Sequence, residues 1–195
     1  MRLNWSLLFT TIFILIFYQI KCSRKNEIIQ LSAGASSASI NPPLGSFIAG
    51  HTQNRKFQAV LDNLMAKAVV FSDGRQTVAI LTLDCIGLLK PDIEKISELA
   101  ARESGVPVNQ IIVSSTHTHA GPDVVGIWGK DFKQSGVVDK HMELIVDRAA
   151  KAIVTAWKNR KPVMVQYATG SFGEDWVKNI SEPELIDRTL SVVKM

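Results

Sequence analysis

The amino-acid sequence predicts an α/β fold: a mixed, largely buried sheet with flanking helices, incomplete at the C-terminus. Two apolar, β-branched runs at residues 65–71 and 76–83 surround an Asp-Gly pair, a pattern typical of a β-hairpin. A helical pattern at 91–102 then leads to a strand at 110–115, and this length suits a βαβ unit with parallel strands. The last apolar run, at 190–193, begins a strand at which the chain stops.

The region before the hairpin combines a strand with a long loop. Residues 28–40 are rich in Ser, Ala and Gly and form a strand that must turn at Asn41-Pro42-Pro43. Residues 44–58 continue as a loop whose second half is polar and exposed. The run at 78–83 is apolar at nearly every position, which indicates a central strand covered on both faces. Asp84 follows it, either as a local turn former or as part of a site.

Two helices are predicted from their apolar periodicity and their end signals. Pro91 suits the first turn of the helix at 91–102, and Gly105 suits its end. Asp139 can cap a second helix that extends to about Asn159, and His141 on that helix is expected at the surface.

The remaining segments are a loop and a further strand. Residues 124–138 form a glycine-bearing loop, in which Trp128 and Phe132 are candidates for the wall of a pocket. Residues 163–167 are predicted to form another strand.

The most informative stretch is 113–123, which carries two of the four histidines. His117 and His119 follow an apolar run and precede a Gly-Pro turn. Side chains at positions i and i+2 of a strand share a face, so both imidazoles are expected to aim at one point at the strand's end. Asp84 lies at a corresponding strand end, where α/β sheets bind their ligands. The alternatives are a metal or proton-transfer site and a pair of structural, hydrogen-bonded histidines.

Residues 1–22 have the pattern of a signal peptide or a membrane anchor. Arg2 precedes an apolar run that extends to Ile20, a length that leaves both interpretations open. Cys22 follows directly and is a candidate for lipidation, although Lys21 departs from the small residue normal at such a site. Residues 23–29 form a polar tether. The protein is therefore expected to be exported, and to be extracellular, periplasmic or membrane-anchored.

The formal charge of +4 belongs to this leader alone. Residues 1–25 contain four basic residues and no acidic one, which leaves 18 basic against 18 acidic residues in the rest of the chain. A neutral body without a basic stripe does not point to nucleic acid as a partner. The two cysteines form no disulfide framework, and Cys85 is expected to be a small core residue.

Residues 117–123, His-Thr-His-Ala-Gly-Pro-Asp, resemble the His-Thr-His-Ser-Gly-Pro signature of the neutral/alkaline, non-lysosomal ceramidases. Segments 41–50, 66–74, 83–84 and 109–113 are similar to that family's N-terminal domain in the same order. The resemblance covers about residues 30–195, which we interpret as the N-terminal portion of a truncated ceramidase-like domain.

This resemblance implies a zinc-dependent amide hydrolase of the N-acylsphingosine amidohydrolase (ceramidase) type, which converts ceramide to sphingosine and a fatty acid. It implies that His117 is a ligand of Zn²⁺. It also implies that His119 is a catalytic group, which moves a proton or holds the developing oxyanion. The family's other zinc ligands, a histidine, a glutamate and a tyrosine, come from later segments outside this chain. The implied partners are a lipid amide and a membrane, contacted through the leader or the substrate.

Departures from the family pattern leave several alternatives open. Ala120 replaces the usual serine, and Asn179-Ile180 stands where the family has Asn-Arg, so a substrate contact of that arginine is expected to be lost. The length is explained either by a fragment of a longer enzyme or by a catalytically inactive, membrane-tethered remnant or scaffold. Another His-x-His metallohydrolase is a further alternative, but a metallo-β-lactamase type would need Asp and His where Gly121 and Pro122 stand.

Overall fold

A computed structural model describes residues 30–173 and 176–195. The predicted leader at 1–22, with Cys22, and the tether at 23–29 lie outside the described residues. A short 3₁₀ turn, Val108–Gln110, precedes the fourth strand. In chain order the elements are β1 Ser32–Ser39, β2 Met65–Ser72, β3 Thr77–Leu83, α1 Lys90–Ser104, β4 Ile111–Ser115, α2 Asp139–Lys158, β5 Lys161–Pro162, β6 Gln166–Ser171 and β7 Thr189–Lys194.

The main sheet has five strands in the order β4-β3-β2-β1-β5 and is mixed. The pairs β1/β2, β2/β3 and β1/β5 are antiparallel, whereas β3 and β4 are parallel and are joined by α1. The predicted α/β class, the hairpin and the βαβ unit are thereby confirmed. Strands β6 and β7 form a separate antiparallel pair.

The turn between β2 and β3 is closed by the side chain of Asp73. Its Oδ1 accepts the backbone N–H groups of Arg75 (2.8 Å) and Gln76 (2.6 Å). These two hydrogen bonds, the one from Gln76 first, lower the pKa of the Asp73 carboxyl. The chain reverses within four residues, so that Ser72 pairs with Thr77.

Both helices begin without a side-chain cap. Pro91 lies in the first turn of α1, and Gly105 ends it with φ +76° and an N–H bond to the carbonyl of Ala101, as predicted. The prediction that Asp139 caps α2 was wrong: the capping position is Val138, and Asp139 is the first helical residue. There its carboxylate favours the helix through the positive end of the helix dipole.

The hydrophobic core lies between one face of the sheet and the two helices. Alternate residues of β2 and β3, such as Val70, Leu81 and Leu83, are fully buried together with Ile145 and Ile153 of α2. Because α2 packs against β1, β2 and β3, and α1 packs against α2, the helices cover the same face. None of the helices in residues 30–173 and 176–195 has both the length and the apolar character needed to cross a bilayer.

The prediction that β3 is covered on both faces was wrong. Its burial alternates, and Ile80 on the second face is 40% exposed, as Ile112 of β4 is 54% exposed. An unbroken apolar run shows that neither face is polar, but it does not show that a second layer is present to cover the other face.

Two further sequence interpretations are corrected. His141 is not at the surface but is 5% exposed, and its Nε2 donates to the carbonyl of Ile40 (2.9 Å). It lies at the buried side of the first turn of α2, which the sequence periodicity did not identify. Of the strand predicted at 163–167, only Gln166 and Tyr167 lie in a strand, β6, and residues 163–165 connect β5 to it. The predicted strand at 190–193 is confirmed as β7.

Candidate active site

The candidate site begins at the carboxyl ends of β3 and β4. Because these strands are parallel and Leu83 pairs with Ser115, the residues that follow leave the sheet side by side. The N–H of Thr116 donates to the carbonyl of Leu83 (2.9 Å), which continues the pairing for one residue beyond β4. The prediction that Asp84 and the histidine segment share one edge of the sheet is thereby confirmed.

The two histidines lie in the loop after β4, not in the strand. The strand ends at Ser115, and His117 adopts a left-handed backbone with φ +59°. The rings of His117 and His119 still converge, with centroids 5.3 Å apart and planes at 65°. The expected convergence is therefore present, but the expected cause was wrong, since a turn and not the pleat of a strand brings the rings together.

The ring of His117 is oriented by one hydrogen bond. Its Nδ1 lies 2.6 Å from the carbonyl oxygen of Ile86 in the loop after β3. A carbonyl oxygen only accepts, so Nδ1 carries the hydrogen, and Nε2 of the neutral imidazole is the nitrogen with a lone pair. Metal-ligating histidines are commonly held in this way by a partner on the other ring nitrogen.

His119 is positioned by contact with the loop at 44–58. Gly50 has φ +81°, and a Cβ built on it would lie 2.4 Å from Cγ of His119, so no larger residue fits beside this ring. The ring of His51 packs edge-on against that of His119, with centroids 6.0 Å apart. Sequence reasoning did not place this third imidazole at the site, because His51 and His119 are 68 positions apart in the chain.

A cleft of about 500 Å³ opens beside His119. Its lining combines apolar side chains, including Ile48, Phe57 and Leu64, with polar ones, including Asn41, Asp84 and His119. A largely apolar wall with a few convergent polar groups is typical of a small-molecule site.

Asp84 forms a local turn, which is one of the two roles that the sequence left open, and it also faces the cleft. Its Oδ2 accepts the backbone N–H of Met65 at the start of β2 (2.9 Å), which fixes the turn after β3. Its side chain also contributes to the lining of the cleft.

Asp123 is a site-supporting residue whose role the sequence did not reveal. It is 2% exposed, and its carboxylate accepts four backbone N–H groups. Val125 (3.1 Å) and Gly126 (2.8 Å) donate to Oδ1, and Trp128 (3.0 Å) and Gly136 (3.0 Å) donate to Oδ2. An aspartate directly after a Gly-Pro turn is a weak signal of such a role, because its donors lie up to 13 residues away.

Neither aromatic residue proposed for the pocket wall lines the cleft. Trp128 is partly buried and packs against the core, whereas Phe132 is 92% exposed. Composition suggested an aromatic wall, but Asp123 folds this loop back on itself and directs its two aromatic side chains elsewhere.

Cys85 is a buried core residue, as expected. Burial raises the pKa of its thiol, which lies 3.3 Å from Oγ of Ser115. In the C-terminal part, the side chain of Asn179 closes a local turn by accepting the N–H of Ser181 (3.0 Å) and donating to the carbonyl of Leu185 (3.1 Å). Ile180 beside it is 86% exposed.

The fit of this site to a zinc ion is partial. His117 supplies a free Nε2, and histidine nitrogen is a normal zinc donor. Among residues 30–173 and 176–195, no three His, Cys, Asp or Glu side chains are grouped so that they could hold a metal ion. The described part of the chain therefore offers one oriented ligand and not a complete coordination sphere.

The fold was compared with solved structures. The crystal structure of neutral ceramidase from Pseudomonas aeruginosa matches 86% of this chain with a TM-score of 0.67 and 18% sequence identity. The chain shares its fold with part of a neutral ceramidase. A structure of ceramidase complexed with C2 matches 85% of the chain with a TM-score of 0.66 and 18% identity. The resemblance to neutral ceramidase read from residues 117–123 is thereby confirmed at the level of the fold.

The chain spans only 29% and 28% of the lengths of these two ceramidase chains. No family model and no curated protein matches the sequence. For this chain, a ceramidase-type activity, substrate and metal are therefore proposals.

Proposed function

We propose that this chain contributes the first zinc ligand and a proton-transfer group to a zinc-dependent amide hydrolase of the ceramidase type. The proposal rests on the hydrogen bond from Nδ1 of His117 to the carbonyl of Ile86. The ring centroid of His119 lies 5.3 Å from that of His117. A metal ligand needs one ring nitrogen that no protein group occupies, and Nε2 of His117 meets this need close to His119, which lines the cleft.

The proposed substrate is a lipid amide similar to ceramide. His117 would hold a zinc ion through Nε2, and the ion would supply the Lewis acidity that activates water and polarises an amide carbonyl. The chain's own residues bind the amide in the cleft, with its apolar part against Ile48, Phe57 and Leu64. The other zinc ligands are proposed to lie outside the described residues.

His119 is the proposed proton-transfer group because it lines the cleft and contacts His117. Amide hydrolysis requires that a proton leave the attacking water and that one reach the departing amine nitrogen, since an amide anion is a poor leaving group. An imidazole exchanges protons near neutral pH and can serve both transfers. Gly50 and His51 of the loop at 44–58 lie against this ring, which restricts its movement on that side.

The assignment of His117 is tested by His117→Ala in the longest polypeptide that the gene encodes. Ceramide hydrolysis is expected to fall by at least about 100-fold, because loss of a ligand costs no less than loss of a residue that supports one. A chelator should abolish the activity of the unchanged protein, and Lys95→Ala on α1 should leave it unaltered. Full activity of the His117→Ala protein would show that this histidine is not a zinc ligand.

The role of His119 is tested through Gly50 with a matched control. Gly50→Ala would displace the ring of His119, and a misplacement of about 1 Å can cost 100-fold in rate. Gly45→Ala imposes the same backbone strain at φ +86° but meets no atom within 4 Å, so it should retain activity. Equal losses in both variants would mean that backbone strain, and not the position of His119, determines the rate.

The alternative is a catalytically inactive, membrane-tethered remnant or scaffold. The incomplete set of metal-binding side chains in the described residues favours it. Under this alternative, the longest encoded polypeptide binds no stoichiometric zinc at neutral pH, as measured by metal analysis after dialysis.

A further inference from the structure

A chain of hydrogen bonds connects helix α2 to one wall of the cleft. Nε2 of His141 donates to the carbonyl of Ile40 (2.9 Å), the first residue after β1. The N–H of Ile40 in turn donates to the carbonyl of Leu64 (2.7 Å), the residue before β2. Because Leu64 lines the cleft, the helix is joined to the cleft wall through a single buried residue, Ile40.

The side chain of Asn41 continues this connection. Its Oδ1 accepts the N–H of Leu64 (2.7 Å), and its Nδ2 donates to Oδ1 of Asn63 (2.7 Å). Asn41, Asn63 and Leu64 all line the cleft. The carbonyl of Ile40 and the nitrogen of Asn41 belong to one planar peptide unit, so a bond that orients the carbonyl also sets the direction in which Asn41 begins.

His141 holds this peptide unit from a rigid element. It is buried in the first turn of α2, and this helix packs against β1, β2 and β3. Arg148, further along the same helix, donates to the carbonyl of Ser39. Two successive carbonyls at the end of β1 are therefore held by α2, and a donor on a packed helix fixes its acceptor more closely than a donor on a loop.

We propose that His141 is a positioning residue for the cleft, which sets the wall at 63–64 through Ile40 and Asn41. It acts on the binding of the substrate and not on bond cleavage, because His117 and His119 lie on a different loop, after β4. This role rests on the proposed function and deepens it, since the cleft is where the lipid amide is proposed to bind.

The first test measures the cleft wall directly and requires neither zinc nor activity. Amide hydrogen exchange is followed by mass spectrometry with single-residue resolution in the longest polypeptide that the gene encodes. The ratio of the exchange rate at Leu64 to that at Val70, a fully buried residue of β2, reports local opening of the wall.

Two substitutions of His141 separate the hydrogen bond from the side-chain volume. His141→Leu is apolar and of similar size but has no donor, and the ratio is expected to rise by about fivefold, the usual net effect of one hydrogen bond. His141→Gln, whose amide can donate to Ile40, should keep the ratio of the unchanged protein. His141→Asn carries the same amide on a shorter side chain and should behave like His141→Leu.

Ile153→Val is the matched control for lost stability. Ile153 is fully buried on the same helix, and its side chain has no group that could form a hydrogen bond with the cleft wall. Exchange at Leu64 and at Val70 should therefore rise in equal proportion. A ratio that rises as much in Ile153→Val as in His141→Leu would overturn the positioning role, and so would an unchanged ratio in both His141→Leu and His141→Asn.

The second test separates binding from catalysis with ceramide as the substrate. In His141→Leu the KM is expected to rise by about fivefold while kcat stays within about twofold, and His141→Gln should restore the KM. A lower kcat at constant KM would overturn the assignment to binding.

Failure of the proposed function gives a different pattern from failure of this inference. A raised exchange ratio in His141→Leu, without chelator-sensitive hydrolysis by the unchanged protein, would remove the enzyme and keep the link from α2 to the cleft wall. Chelator-sensitive hydrolysis together with an unchanged exchange ratio would keep the enzyme and remove the link.

Discussion

Asp123 joins the loop at 44–58 to the loop between β4 and α2. Its backbone N–H donates to the carbonyl of Phe47 (2.9 Å), while its carboxylate collects four N–H groups from the loop at 125–136. A neighbouring bond from the N–H of Ala49 to the carbonyl of Gly121 (3.0 Å) continues the same junction. Gly50 follows Ala49 directly and lies against the ring of His119. The hydrogen bonds between these loops therefore also position the candidate catalytic group, His119.

Asp123→Asn is expected to lower the free energy of unfolding by about 2–3 kcal/mol. The amide group has one acceptor oxygen, so the N–H groups on one side would face a donor and lose a charge-assisted bond in a buried position. Urea denaturation measures the change. Asp131→Asn is the matched control, because Asp131 is exposed and accepts one N–H from Lys133, so its effect should stay within about 0.5 kcal/mol. Similar effects of both variants would contradict the role assigned to Asp123.

At the scale of single elements, local sequence signals were sufficient to predict the β2–β3 hairpin and helix α1. The Asp-Gly turn, the β-branched runs and the Pro91 and Gly105 end signals depend on neighbouring residues only, and each is present as predicted. The predicted cap of α2 and the predicted strand at 163–167 were wrong. At each boundary several neighbouring residues suit the position equally well, and packing decides where the element begins.

Gly105→Ala tests the end signal of α1. Gly105 has φ +76°, and no atom lies within 4 Å of a Cβ at this position, so the change costs backbone strain alone, about 1 kcal/mol. The midpoint of chemical denaturation should fall accordingly. Gly87→Ala is the control, since it too meets nothing within 4 Å and lacks the positive φ. If the Gly105→Ala protein is as stable as the control, the left-handed end of α1 contributes nothing.

At the scale of the whole molecule, His141 links α2 to the chain after β1. Its burial lowers the pKa of the imidazole below 6.5, although the carbonyls of Ile40 and Asn41 act in the opposite direction. The unfolded chain therefore binds a proton near pH 6.5 that the folded chain does not. The contribution of neutral His141 is present above about pH 6.5 and is lost as the pH falls through the folded-state pKa.

The pH dependence of stability should consequently be weaker in His141→Gln than in the unchanged protein. The glutamine amide can donate to the carbonyl of Ile40 but does not titrate. Urea midpoints at pH 7.5 and pH 5.5, about one unit either side of the ordinary histidine pKa, provide the comparison. His51→Gln, a change at an exposed histidine, is measured in parallel as the control for the substitution itself. A His141→Gln protein with unaltered pH dependence would exclude this residue as the cause.

The sequence by itself determined the α/β class, the hairpin, the parallel pairing of β3 and β4, and the edge at which His117, His119 and Asp84 meet. These features depend on short-range periodicity and on the rule that parallel strands end at the same edge. Resemblance over residues 117–123 predicted the ceramidase-like fold, which the structural comparison confirms.

Only the tertiary structure decided how the site is assembled. The hydrogen bond of His117 to Ile86, the contact of Gly50 and His51 with His119, and the bond of His141 to Ile40 join residues that are distant in the chain. The left-handed backbone at His117 was also not evident from the sequence. The same is true of the four amides around Asp123 and of the open second face of β3. Such contacts arise from packing between elements. A single sequence lists the residues but does not show which distant residues come into contact.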